Sequence, residues 1–214
     1  MIKRFELNQH GRDFVVGDIH GCFTKLKAQL ISICFDGSKD RLFAVGDLVD
    51  RGNDSEDCIK WLDKSWFHSV RGNHEQMAID TFYVDWDAGN YFVNGGAWFF
   101  GLTHEEQQCY VDLFMSLPII IEVETKNGLV GIVHAEYPIN DWKINDEEYI
   151  LDQNFIASCQ WSRSRIEYKN TEIVINVEKI YCGHTPVPVP MILGNHYYID
   201  TGAVFGNELT IIEI

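Results

Sequence analysis

Three times before residue 90, an apolar run stops at a glycine-containing polar turn and an amphipathic stretch takes over. Phe14-Val15-Val16 leads into Gly17-Asp18-Ile19-His20-Gly21, and Phe23, Leu26, Leu30 and Cys34 then recur at helical spacing across residues 22–35. Residues 42–45 lead into Gly46-Asp47, and Asn53 with Glu56 has the spacing of a capping box opening a helix that runs to about Leu62. Residues 67–70 lead into Arg71-Gly72-Asn73-His74-Glu75 and a third helix. Few folds satisfy a β-α-β-α-β-α order, because each crossover must bring the next strand back beside the last in parallel. The same order gathers the polar turns at the carboxyl ends of the strands, where open α/β sheets bind ligands.

The second half has a different rhythm. Residues 104–116 carry a helical pattern and precede apolar runs at 119–124 and 128–133, with Asn127-Gly128 between them as a hairpin signal. Short strand-like runs follow at 179–182, 191–193, 197–199 and 209–214, with turns at Gly194-Asn195 and Gly206-Asn207. The expected fold is mixed α/β (α+β). Parallel β-α units come first and an antiparallel-rich half follows, as two packed sheets with helices outside. At 214 residues, with no repeat or linker, the chain is expected to form one domain over 1–214.

Charge narrows the function. Lys+Arg 17 against Asp+Glu 32 leaves −15 at pH 7, which opposes bulk attraction to nucleic acid or an anionic membrane, so neither is an expected partner. Phosphate chemistry would have to come from a local site. Residues 1–9 mix apolar side chains with Lys3, Arg4 and Glu6 and lack the apolar core of a signal peptide. No apolar run reaches the roughly 18 residues of a spanning helix. The six cysteines (22, 34, 58, 109, 159 and 182) have no metal-binding spacing and read as buried free thiols of a reducing cytoplasm. Nothing in the sequence fixes an oligomeric state, and a monomer would suffice.

The strand ends carry the chemistry: Asp18 and His20, then Asp47, Asp50 and Arg51, then Arg71, Asn73 and His74, then His134, then His184. Mixed oxygen and nitrogen donors suit Mn, Fe or Zn better than calcium. They suffice for two ions, one held by Asp18 and His20 and the other by Asn73, His134 and His184, with Asp47 bridging through its two oxygens. Such a pair activates a water and neutralises an in-line displacement. Arg51 and Arg71 offer planar forks for phosphate oxygens. His74 is placed to protonate a leaving alkoxide, and Asp50 to orient and charge its ring.

Gly17-Asp18-Ile19-His20-Gly21, Gly46-Asp47-Leu48-Val49-Asp50-Arg51-Gly52 and Arg71-Gly72-Asn73-His74-Glu75 resemble the three signatures of the phosphoprotein phosphatase family of calcineurin-like metallophosphoesterases. The chain is most similar to the small bacterial and phage branch, the lambda-phage protein phosphatase type. The likeness extends through Asn94-Gly95-Gly96, Trp98-Phe99-Phe100, His134-Ala135-Glu136-Tyr137-Pro138, Gly183-His184-Thr185-Pro186 and Asp200-Thr201-Gly202-Ala203. It implies a two-sheet sandwich flanked by helices and two divalent ions, Mn2+ first, with Fe, Zn or Ni as alternatives. It also implies one-step hydrolysis of phosphoserine, phosphothreonine and often phosphotyrosine in proteins or peptides by a hydroxide bridging the ions. A bacterial or phage-infected cytoplasm is the implied compartment. By position, the resemblance assigns Asp18 and His20 to the first ion, Asp47 to the bridge, and Asn73, His134 and His184 to the second ion. His74 and Asp50 form the acid dyad, and Arg51 binds phosphate. Trp161-Ser162-Arg163 fits a further arginine motif that usually reads Trp-Asn-Arg or Trp-Asp-Pro, making Arg163 a phosphate ligand with Arg165 as substitute.

Symmetrical dinucleoside tetraphosphate hydrolases resemble this chain in fold and ligands. They tend to carry Leu-Val-Ala-Arg-Gly in the second signature, where this chain has Asp50, and that position favours the phosphatase. A non-catalytic scaffold of the same fold would have lost ligands, and here every position is filled. His10, His68, His104 and His196 read as surface or half-buried residues. Tyr91, Phe92, Trp98, Phe99 and Phe100 read as core packing rather than a substrate groove. The acidic stretch 140–152 reads as a solvated face that could also favour basic peptides. Cys22 is either a buried helix residue or an oxidisable thiol near the ions.

Overall fold

The computed structural model describes residues 2–84, 88–143 and 152–214. One sheet holds β2 (Asp13–Val16), β3 (Arg41–Ala44) and β4 (Phe67–Ser69) in parallel, with β10 (Ile211–Glu213) antiparallel on the β2 edge. The other holds β1 (Ile2–Phe5), β5 (Ile120–Thr125), β6 (Gly128–Val133), β7 (Lys179–Cys182), β8 (Met191–Leu193) and β9 (His196–Tyr198), in the order β1-β5-β6-β7-β9-β8. This second sheet is mixed rather than antiparallel-rich. The hairpins β5–β6 and β8–β9 form at the expected turns, but β1–β5, β6–β7 and β7–β9 pair in parallel. Between β6 and β7 the chain crosses over through a helix, and a crossover returns a strand parallel.

Among the described residues the α-helices are α1 (Phe23–Ser32), α2 (Cys58–Leu62), α3 (Asn73–Val84), α4 (Ala88–Tyr91), α5 (Ala97–Phe100), α6 (His104–Ser116), α7 (Gln153–Trp161) and α8 (Ser164–Glu167). Thr103 and Glu106 close a full capping box on α6. Asn53 and Glu56 form none. A 3-10 turn, Ser55–Asp57, precedes α2 instead, and the Asp54 carboxylate accepts from the Thr24 N–H at 2.9 Å, covering an orphan donor at the start of α1.

Period-2 alternation builds the layers. Along β2 and β3, Phe14, Val16, Leu42 and Ala44 face a core shared with α1, α2, α3 and α6, while Val15 and Phe43 turn the other way. There they meet Ile121, Val123, Val130, Ile132 and Tyr181 between the two sheets. Ile120, Val133, Ile180 and Cys182 point outward again, onto Phe155 and Cys159 of α7. The result is helix, sheet, sheet, helix. The carboxyl ends of β2, β3 and β4 thereby meet those of β6 and β7. No helix among the described residues is long and apolar enough to cross a membrane.

Candidate active site

Every expected ligand lies just past one of these strands, Asn73 as the first residue of α3 and the others in turns, and several turns need unusual backbone. His20 (φ 43°), Asp47 (φ 49°), Asp50 (φ 74°), Arg51 (φ 67°) and His184 (φ 68°) are all left-handed. Such positions cost of order 1–3 kcal/mol each for non-glycine residues and persist only where surroundings over-determine them. Here Glu75, fully buried, accepts from the backbone N–H of Leu48 (2.7 Å), Asp47 (3.1 Å) and Gly72 (2.7 Å), fastening the β3 turn to the β4 turn. A Cβ on Gly72 would collide with the Asp47 carboxylate, and one on Gly183 with that of Asp18.

Two sets of donor atoms converge: His20, Asp47 and His74 in one, Asp47, His134 and His184 in the other. Asp47 belongs to both, as a bridge must. Carbonyl oxygens fix the ring tautomers from behind. His20 Nδ1–H donates to Val49 O (2.9 Å), His134 Nδ1–H to Val45 O (2.7 Å) and His184 Nε2–H to Trp161 O (3.1 Å), so the opposite nitrogen of each ring presents a lone pair. With Asn73 Oδ1 assigned to the inward position, it lies 2.8 Å from both His134 Nε2 and His184 Nδ1. Three electron-pair donors around one point suit a divalent cation.

The electrostatics agree. Burial, above all, pulls His20 and His184 down to about 3 and lowers His134, keeping these rings in the neutral, metal-binding form. Burial alone would raise Asp47, but His134, His74, His20 and His184 outweigh it and hold the carboxyl below its ordinary range. Burial, then Asp200, then Asp47 push Asp18 well up, and burial raises Asp200 to about 6. A cluster of buried acids in that state fits positive charge placed among them. Asp18 lies outside both converging sets, its carboxylate accepting from the His184 N–H at 3.0 Å.

His74 Nδ1–H donates to Asp50 Oδ2 at 2.6 Å, and Asp50 is fully buried. The second Asp50 oxygen accepts from Trp98 Nε1–H (2.6 Å) and Tyr91 O–H (3.0 Å). Burial opposes a charged His74, but Asp47 and then the Asp50 hydrogen bond outweigh it and raise the ring's pKa. Tyr91 and Trp98 come from the aromatic segment expected only to fill the core. Phe92 and Phe100 of that segment are exposed.

The arginines divide. Arg51 reaches His20 Nε2 (2.5 Å) and His74 Nε2 (2.9 Å) with its two terminal nitrogens. A cavity of about 390 Å3 is lined by Asp47, Arg51, Asn73, His74, Arg163 and His184, among others. Arg71, expected at the phosphate, turns away instead, bonding Gln76 Oε1 and the carbonyls of Met115 and Leu117. Arg165 is buried and donates to the carbonyls of Asn170 and Glu172, so Arg163 alone of that pair lines the cavity. His196, expected at the surface, is fully buried, while Cys34 and Cys109 are exposed rather than buried. Burial raises the Cys22 thiol, which works against its reactivity. Most of the acidic stretch, residues 144–151, lies outside the described residues.

A sandwich with two carboxylate-bridged donor sets above its strand ends defines a metal-dependent phosphoesterase. Residues 14–188 match the calcineurin-like phosphoesterase model, and the chain belongs to that family. It is 40% identical to serine/threonine-protein phosphatase 1 of Salmonella typhimurium over 99% of this chain and 96% of that one. It is 39% identical to a symmetrical bis(5'-nucleosyl)-tetraphosphatase of Actinobacillus succinogenes, covering 94% and 92%. A solved protein serine/threonine phosphatase from Saccharomyces cerevisiae aligns with TM-score 0.61 over 92% of this chain and 70% of that one, at 19% identity, a likeness of fold.

Proposed function

We propose that the chain is a protein phosphatase that hydrolyses phosphoserine and phosphothreonine monoesters, extending to phosphotyrosine, with residues 1–214 as one catalytic domain. The observation that carries the reading is the buried 2.6 Å hydrogen bond from His74 to Asp50. A phosphomonoester of an alkyl alcohol has a poor leaving group, which needs a charged, oriented acid. Arg51 and Arg163 grip the phosphate oxygens. As Arg51 turns from His74 Nε2 to the phosphate, His74 takes up its second proton at that nitrogen, on the cavity side, and passes it to the departing alkoxide. His20 with Asp18, and Asn73, His134 and His184, would hold two divalent ions, with Asp47 as the ligand common to both. When bound, those ions supply an activated water and neutralise phosphate charge. We take Mn2+ as the working ion, phosphoproteins as partners, and the cytoplasm as the compartment, in keeping with six free thiols.

The test is phosphate release from a phosphoserine peptide and from diadenosine tetraphosphate, side by side, on chelator-stripped protein with and without Mn2+. Mn-restored turnover of the peptide is expected. Turnover of the dinucleotide alone would transfer the site to the tetraphosphatase reading carried by the Actinobacillus relative.

A further inference from the structure

We infer that Glu136 is a positioning residue for phosphate recognition: its single carboxylate grips both flanks of Arg163 and thereby sets where that guanidinium meets the substrate. The inference rests on Arg163 being a phosphate ligand, as proposed above. Glu136 lies two residues past His134 and is 8% exposed. Its Oε1 accepts from Ser162 Oγ–H at 2.6 Å and its Oε2 from the Arg165 N–H at 2.8 Å. Between those two anchors sits Arg163, at the junction where α7 ends and α8 begins, with no side-chain cap of its own.

The bracketed segment is also tied to the metal end of the site. Trp161 O takes the His184 Nε2–H, and Cys159 O takes the Ala135 N–H at 2.7 Å. Glu136 therefore couples the His134 turn to the Arg163 turn, as Glu75 couples the Asp47 and Gly72 turns. A long arginine side chain loses much rotamer freedom when it binds, so fixing its backbone beforehand lowers that cost and improves aim. Ser162 suits this device, because a hydroxyl donates to a carboxylate. An aspartate there would set two carboxylates against each other.

Steady-state kinetics of the Mn-loaded full chain on a phosphoserine peptide, with inhibition by inorganic phosphate, test the inference. Glu136→Ala should raise both KM and the phosphate Ki about tenfold, with kcat within about threefold and metal content unchanged. Glu136→Gln should restore both to within about threefold, since its oxygen can accept from the Arg165 N–H while its amide donates to Ser162 Oγ. Ser162→Ala keeps the buried carboxylate and one anchor, so it should raise both about threefold; it decides the matter if Glu136→Ala fails to fold. Arg163→Gln tests the underlying reading: an unchanged KM there sinks that reading and the inference with it. A raised KM in Arg163→Gln, with wild-type KM and Ki in Glu136→Ala and Ser162→Ala, overturns the positioning role alone. So does a full further rise when Glu136→Ala is added to Arg163→Gln, where non-additivity is expected.

Discussion

Asp50→Asn is the sharpest perturbation of the proposed acid. Asp50 accepts on both sides: from His74 on one oxygen, from Trp98 and Tyr91 on the other. An asparagine can satisfy only one side with its oxygen. Trp98 and Tyr91 together present two donors, so the oxygen should stay with them and the amide N–H should face His74. His74 Nδ1 must then accept rather than donate, which disfavours the charged ring. A hydrogen bond to a charged group is worth about 1.5–3 kcal/mol, so the charged ring should become about 10–150-fold less populated. On a phosphoserine peptide kcat should fall by about that factor, with bound metal unchanged. On p-nitrophenyl phosphate, whose leaving group needs little protonation, the loss should stay within about threefold. Equal losses on both substrates, or full activity on the peptide, would refute the role given to the pair.

Asp47→Ala should strip metal from both sets at once, readable as less than half the wild-type metal content after gel filtration, because among the described residues it alone serves both. Gly183→Ala should destabilise by about 1–3 kcal/mol and weaken metal binding, since its Cβ collides with the Asp18 carboxylate; denaturant midpoints and metal titration check it. Burial holds His68 at about 4 and His196 at about 3, below their unfolded value near 6.5. The unfolded chain therefore takes up protons first. These two rings leave stability intact above pH 6.5 and erode it as pH falls toward 4 and 3. His68→Phe, filling the space between Phe5 and Phe43, should flatten the fall of Tm on acidification. A constant Tm difference from wild type between pH 7 and pH 4.5 would remove that explanation.

The turns that carry the candidate ligands were legible because such chemistry needs particular side chains immediately after particular strands, and sequence order preserves that. Asp18, His20, Asp47, Asn73, His134 and His184 are brought to one edge as expected. What supports them was not legible. Tyr91, Trp98, Glu75 and Glu136 act by reaching across from other segments, and an aromatic run or an isolated glutamate has no local pattern that says so. Arg71 misleads for the same reason: its place in the motif is fixed, but the neighbouring carbonyls at Met115 and Leu117 decide where its fork goes. β1 escapes periodicity because it is a four-residue edge strand with two exposed central residues. Sheet polarity beyond β6 depends on α7, whose crossover the strand-like runs alone do not reveal.

The left-handed turns divide the molecule for any lineage, natural or engineered, under pressure to withstand heat. Relieving such a residue with glycine is one of the simplest stabilising changes, since the strain is of order 1–2 kcal/mol per position. At His20, Asp47, Asp50, Arg51 and His184 that route is closed under the proposed function, which gives each strained side chain a chemical role. It stays open at Cys34 (φ 52°), Lys169 (φ 52°) and Asn176 (φ 65°), which share the backbone geometry without the chemistry. Heat-adapted relatives should therefore carry glycine at those three positions before they alter any of the other five.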